Sequence, residues 1–198
     1  MKLLLSSNKS IVKDYIKTNS KIGFIATASE LDADRWYMEK DRNDLKKMSY
    51  NLIDIDITHE KRDAIIRKFE LVDAIFVSGG NSFYLLQQLK LKSVLNDLVN
   101  FANDKVYIGS SAGSCICCPS IDYLEKLDDK REAPELKNYK AMNLINGYIL
   151  PHYKSDEEYS RLIDEIVNQY ENLNFIILTN EQAVIVESND NYQIVNTK

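Results

Sequence analysis

Three short stretches carry the residue types that chemistry could use. Gly109-Ser110-Ser111-Ala112-Gly113 fits the pattern G-x-S-x-G with Ser111 at its centre, directly behind the apolar run Val106-Tyr107-Ile108. A chain that leaves a strand and enters a helix in one sharp turn pushes the central hydroxyl outward. It also turns the next backbone N–H, here that of Ala112, toward any oxyanion formed on an attacked carbonyl. The following helix adds its positive N-terminal end. Two glycines beside a serine could equally cap a helix, so the pattern needs partners before it implies an active site.

A serine nucleophile needs a base, and the chain has 2 histidines. His59, between Thr58 and Glu60 in a polar turn, reads as a solvated surface residue. His152 follows Pro151 at the end of the apolar run Tyr148-Ile149-Leu150, where the carboxyl edge of a sheet would bring it toward Ser111. An order of Ser, acid and His along the chain puts the acid between 112 and 151. Asp122, Glu125, Asp128, Asp129, Glu132 and Glu135 stand there, and spacing does not choose among them. The third stretch, Gly79-Gly80-Asn81, follows the apolar run Ala74–Val77 and opens a helical pattern at Ser82. Bare N–H groups at such a junction suit an anion; the simpler reading is glycine for positive φ and Asn81 as N-cap.

The elements that must position these residues alternate between β-type runs and helical faces. Leu3–Ser7, Ile22–Ala26, Leu52–Ile57, Ala74–Val77 and Val106–Ile108 read as strands. Leu52–Ile57 alternates apolar and acidic residues, which places it nearer an edge than the centre of a sheet. Helices are expected over Ser10–Thr18, Asp34–Met48, Lys61–Leu71, Ser82–Leu95, Val94–Asn103 and Ser114–Ser120, the last stopped by Pro119. Asp122–Lys140 is charged and contains Pro134, so an exposed loop is expected there. Tyr148–Leu150, a helix over Asp156–Tyr170, and strands at Phe175–Leu178, Ala183–Glu187 and Tyr192–Asn196 complete the chain, with Asn189-Asp190-Asn191 as a hairpin turn. The fold class expected is α/β in three layers: a mostly parallel, doubly wound sheet with helices on both faces and a C-terminal antiparallel strand or hairpin.

Composition narrows the partners. The chain has 198 residues, 44% hydrophobic and 28% charged, with a net charge of −5. That suits one globular domain spanning 1–198 and argues against general nucleic-acid affinity. Leu3-Leu4-Leu5 is cut short by Ser6, Ser7 and Asn8, so no signal peptide is expected, and no window is long enough to span a membrane. Cys115, Cys117 and Cys118 lack a nearby histidine or fourth cysteine to complete a metal site. They read as packing residues in a reducing compartment, and a cytoplasmic location follows.

On these residues the chain resembles peptidase family S51, whose members include α-aspartyl dipeptidase (peptidase E) and, more distantly, cyanophycinase. The resemblance runs through four pieces in order: Leu3-Leu4-Leu5-Ser6-Ser7-Asn8; Val77-Ser78-Gly79-Gly80-Asn81-Ser82-Phe83-Tyr84-Leu85-Leu86; Tyr107-Ile108-Gly109-Ser110-Ser111-Ala112-Gly113 with Pro119; and Ala141-Met142-Asn143-Leu144 leading to Leu150-Pro151-His152. It implies a fold like that of class I glutamine amidotransferase domains, with Ser111 where those carry cysteine. It implies Ser111 as nucleophile, His152 as general base, and Gly80 and Ala112 as donors of the oxyanion hole. The triad acid of the aspartyl dipeptidases falls on Lys126, and the somewhat later position of cyanophycinase-like members favours Asp128, with Asp129 and Glu125 behind it. The arginine that pairs with a substrate aspartate falls on or near Glu158, with Arg161 close by, which argues against strict preference for an N-terminal aspartate. The expectation is a serine peptidase of dipeptidase type, acting on small peptides as monomer or homodimer, with no metal or organic cofactor and no nucleic-acid or membrane partner. The rival is a non-catalytic member that binds a small peptide or amino acid in the same pocket.

Overall fold

A computed structural model of the protein describes residues 1–7 and 15–197. Strands β1 (Lys2–Ser6), β2 (Lys21–Ile25), β3 (Asn51–Asp54), β4 (Ala74–Val77), β5 (Val106–Ser110), β8 (Gln182–Ser188) and β9 (Asn191–Asn196) form one sheet in the order β3-β2-β4-β5-β1-β8-β9. The five strands from β3 to β1 run parallel, while β8 is antiparallel to β1 and β9 antiparallel to β8. The alternating acidic segment forms the edge strand β3, as its pattern predicts, although it ends at Asp54 and its remaining isoleucines, Ile55 and Ile57, are buried in the loop beyond.

Buried strands pack on both faces, which is why they read as unbroken apolar runs. Leu3, Leu5, Ile25, Ile75, Val77 and Tyr107 point into one layer. Leu4, Phe24, Phe76, Ile108 and Ile185 point into the other. Helices α1 (Trp36–Lys47), α2 (Arg62–Leu71), α3 (Ser82–Leu91), α4 (Leu95–Asp104) and α6 (Glu157–Gln169) cover the sheet, and α5 is a single turn at Ala112–Cys115. The expected helix over Ser10–Thr18 falls mostly outside the described residues. No helix among the described residues is long and apolar enough to cross a membrane.

Two expectations are corrected, and one pairing had no expectation at all. The helix expected after the Ser111 turn stops at Cys115, because the next carbonyls are claimed by another segment: Ile116, Cys117 and Cys118 accept from the N–H groups of Met142, Leu144 and Asn143 at 2.9, 2.8 and 3.0 Å. The charged stretch from Asp122 is not simply an exposed loop. A short 3-10 turn at Asp122–Lys126 buries Tyr123 and Leu124, Ala133 is buried farther on, and the Tyr123 hydroxyl donates to the Ile149 carbonyl at 2.7 Å. Finally, β6 (Tyr148–Leu150) and β7 (Phe175–Ile177) stand apart from the main sheet as a parallel pair.

Candidate active site

β1 and β5 lie side by side with Ser6 opposite Ser110, so the elements that leave their carboxyl ends meet. After Ser110 the chain turns at once: Ser111 adopts φ 51° and ψ −111°, a conformation L-residues rarely occupy, and α5 begins at Ala112. The turn is tied down on each side. The Ser111 N–H donates to the Ser6 carbonyl at 2.8 Å. The fully buried Ser114 hydroxyl accepts the Ser6 N–H at 2.9 Å and lies 2.8 Å from the Gly109 carbonyl. The buried Tyr107 hydroxyl donates to the Gly113 carbonyl at 2.7 Å. Gly113 must be glycine, since a Cβ there would fall 2.2 Å from the Val77 carbonyl oxygen of β4.

His152 is brought to this turn by β6 and held by β1. It follows Leu150 and Pro151, takes φ 65°, and its N–H donates to the Ser7 hydroxyl at 3.0 Å, which itself donates to the carbonyls that follow β7. The ring's Nε2 stands 2.9 Å from Ser111 Oγ, and its Nδ1 stands 2.7 Å from Asn180 Oδ1. These two contacts fix the tautomer. A carboxamide oxygen can only accept, so Nδ1 carries the proton and Nε2 is left free to take one from Ser111. Burial pushes the His152 pKa below its usual value, against a smaller opposing effect of Asn180. The Tyr159 ring of α6 packs edge-on against the imidazole with centroids 5.8 Å apart, fixing its plane.

The partner behind the histidine is therefore Asn180 and not Asp128. Asp128 Oδ2 accepts the N–H of Ser82, the first residue of α3, at 2.9 Å. Asp129 is exposed and paired with Arg131, which holds its carboxyl down to about 2. Glu125 pairs with Lys130 at 2.6 Å. Asn180 was not among the sequence candidates. Its signal was the polar Thr179-Asn180-Glu181 at the end of an apolar run, and its relevance depends on the parallel pairing of β6 with β7. Leu150 lies opposite Ile177, so the residues just beyond both strands emerge together.

Gly80 and Ala112 flank the serine. Gly80 has φ 128°, and a Cβ on it would stand 2.2 Å from the Ala28 carbonyl oxygen, so neither conformation nor space admits another residue. Among the described residues, neither its N–H nor that of Ala112 is used elsewhere in the fold. Both are therefore available as donors. A cavity of about 500 Å³ opens over the site, lined by Ser7, Trp36, Tyr37, Lys40, Asp41, Gly79, Gly80, Ser110, Ser111, His152, Tyr159 and Asn180. The lining from α1 had no sequence signal, because a helix face toward a cavity looks like a helix face toward a core. Arg161 is not part of this lining; it pairs with Glu165 on a separate surface depression, and Glu158 is exposed.

A second cavity of about 510 Å³ lies over the ends of β2 and β3. His59 lines it but is paired with Asp56 at 3.0 Å, and Arg42 is paired with Asp54. Its hydroxyl–carboxylate cluster, Thr58 and Tyr84 on Glu30 at 2.6 and 3.1 Å, has among the described residues no histidine in contact and no strained turn presenting the hydroxyl. The chemistry-bearing arrangement is the one at Ser111.

The sequence profile of Peptidase family S51 matches residues 3–194. A protein of Listeria innocua serovar 6a, named as the uncharacterized peptidase Lin0382, is 32% identical over 197 residues, covering 94% of this chain and 92% of its own length. The Peptidase E of a Nostoc species is 29% identical over 76% of this chain and 64% of its own. Among solved structures, a candidate peptidase E of Listeria monocytogenes EGD-e superposes with a TM-score of 0.91 at 28% identity, covering 100% of this chain and 98% of that one. With a serine turn, an adjacent histidine and the glycine turn in one pocket, and a match that spans nearly the whole sequence, the chain belongs to peptidase family S51.

Proposed function

We propose that this protein is a serine-type peptidase that cleaves short peptides through an acyl-enzyme on Ser111. The observation that carries the reading is the 2.9 Å contact between His152 Nε2 and a Ser111 hydroxyl held out of the chain by a φ of 51°. In the first step Ser111 Oγ attacks the scissile carbonyl carbon as its proton passes to His152 Nε2. The carbonyl oxygen gains the charge and is met by the N–H groups of Gly80 and Ala112. The tetrahedral species collapses, the C–N bond breaks, and His152 returns the proton to the departing amine. Water then attacks the acyl ester with His152 taking its proton, the bond from the acyl carbon to Ser111 Oγ breaks as His152 returns the proton to Oγ, and the acid leaves. Asn180 keeps the imidazole in the required tautomer throughout, as an asparagine does in cysteine peptidases built on Cys, His and Asn.

The cavity volume of about 500 Å³ suits a dipeptide or a similarly short substrate. The departure at Glu158 and the separate placement of Arg161 favour a side-chain preference other than strict N-terminal aspartate. The test combines fluorophosphonate labelling with hydrolysis of a broad dipeptide panel, using Ser111→Ala as the control. Labelling and turnover that both vanish in the variant are expected. A folded wild type that neither labels nor cleaves any member would defeat the reading in favour of a pocket that only binds peptides, which the uncharged Asn180 would then suit.

A further inference from the structure

We propose that Asp128 is a positioning residue for the turn that presents the Gly80 N–H, acting on the oxyanion side of the site rather than on His152. The inference rests on the serine-peptidase reading of Ser111. An oxyanion hole stabilises charge only if its donors point at the oxygen without having to reorganise. The Ala112 donor is fixed by the strand-bound turn of β5. The Gly80 donor sits in the Gly79-Gly80-Asn81 turn, and what fixes that turn comes from two outside segments.

One is the loop after β2, whose Ala28 carbonyl accepts the Asn81 N–H at 2.8 Å. The other is the segment from Asp128 to Glu132. Asp128 Oδ2 takes the Ser82 N–H at 2.9 Å, and Asn81 Nδ2 donates to the Asp129 carbonyl at 2.9 Å and to Glu132 at 2.7 Å. Asn81 Oδ1 is already occupied in capping α3 through the N–H groups of Phe83 and Tyr84. Asp128 therefore binds the first helical amide that the cap does not reach, two residues from Gly80.

A carboxylate is a poor choice for that task if stability alone counted. Asp128 is enclosed by protein on most sides and faces Glu132 from its own segment, Asp32 from the loop before α1, Tyr159 from α6 and Cys115 from α5. Burial first, and the like charges of Glu132 and Asp32 after it, push its pKa up to about 6, against the lowering effect of the bonds from Ser82. An asparagine would accept the same N–H with no such burden. What the ionised group adds is a stronger hold on the turn, since hydrogen bonds to a charged acceptor are about twice as strong as neutral ones.

The test compares wild type with Asp128→Ala and Asp128→Asn, each confirmed as folded by its thermal transition. Asp128→Ala is expected to lower kcat by roughly tenfold to a hundredfold with KM changed far less, and to slow fluorophosphonate labelling in parallel, because the lost precision affects the charged species most. Exchange of the Ser82 amide proton should quicken in the same variant, a readout that needs no turnover. Asp128→Asn is expected to recover much of the rate, and its pH profile should lose the part of the acid-side decline centred near pH 6, leaving only that of His152. A folded Asp128→Ala protein with wild-type kcat, or one whose loss lies wholly in KM, overturns the assignment while wild-type turnover keeps the serine-peptidase reading intact. A wild type that neither labels nor hydrolyses overturns both. Should Asp128→Ala fail to fold, an unchanged acid limb in Asp128→Asn is the overturning result.

Discussion

The Nδ1 atom of His152 lies 2.7 Å from the carboxamide oxygen of Asn180, so the imidazole that stands against Ser111 is oriented by a neutral group. A carboxylate there would hold the ring and also stabilise the imidazolium that forms when Ser111 gives up its proton. Asn180 does the first and not the second. Because it is also exposed, water competes for the same contact. Asn180→Ala is expected to lower kcat/KM by about tenfold, within the range that misorientation of a catalytic group produces. Asn180→Asp should move the acid limb of the kcat/KM profile upward by roughly one pH unit, since an adjacent negative charge favours the protonated imidazole. A limb that stays in place would show that Asn180 does not control the titration of His152.

His152 itself sets the direction of the wild-type profile. In the proposed mechanism the neutral form accepts the Ser111 proton, and burial lowers its pKa below the ordinary 6.5. Activity is therefore expected to hold on falling from pH 8 to pH 7 and to decline only at more acid pH. Initial rates across a buffer series check this, and a decline already under way at pH 7 would contradict it.

Gly80→Ala should act on rate more than on binding. The new Cβ would collide with the Ala28 carbonyl at 2.2 Å, and the φ of 128° is closed to alanine, so the turn has to shift. Loss of one oxyanion donor lowers kcat by about a hundredfold to a thousandfold. The strain adds destabilisation of about 1–3 kcal/mol. Steady-state kinetics with a denaturant titration would separate the two, and an undiminished kcat would remove Gly80 from the oxyanion hole.

Asp128 also predicts a pH dependence of stability. Its pKa is raised to about 6 in the folded protein, so the native state binds its proton more tightly than the unfolded chain does. That favours the folded state at acid pH, and the advantage disappears as pH rises through about 6. Asp128→Asn should then stabilise the protein at pH 7 by up to about 3 kcal/mol, less in proportion to the water that reaches the carboxylate, and change little near pH 4. Urea titrations at the two pH values measure it; equal effects at both would refute the assignment.

Ser114→Ala is expected to destabilise without touching the chemistry directly. Its hydroxyl is fully buried, and its removal leaves the Ser6 N–H without its 2.9 Å acceptor in the middle of the sheet. An unsatisfied buried donor costs about 1–3 kcal/mol, which at this chain length lowers Tm by several degrees. Differential scanning calorimetry of the variant is the check.

Much of the sheet was legible because buried parallel strands must be apolar on both faces: Ala74–Val77 is β4 at full length, and Val106–Ile108 is the apolar part of β5, which continues to Ser110. The serine and the histidine were legible for a different reason: each stands where an apolar run ends, which in this architecture is the edge where ligands bind. Asn180 was not, because β6 and β7 are three residues each and nothing in so short a run states its neighbour or register. The charged segment around Tyr123 misled for a related reason. Most of its charges face outward while Tyr123, Leu124, Asp128 and Glu132 turn inward, an arrangement with neither helical nor strand period. The early end of α5 was equally hidden, since backbone carbonyls turned to Met142 and its neighbours leave no trace in composition.

Ser111 and His152 both hold positive φ, at 51° and 65°. Each residue in such a region stores about 1–3 kcal/mol of strain, and glycine would relax either one. The two positions on which the proposed chemistry depends are thus also positions where substitution would be rewarded by folding alone. A lineage freed from the need to cleave peptides should lose its serine and histidine early, to glycine or asparagine, while its core stays unchanged. Retention of both residues on a strained backbone is what continued selection for catalysis would look like.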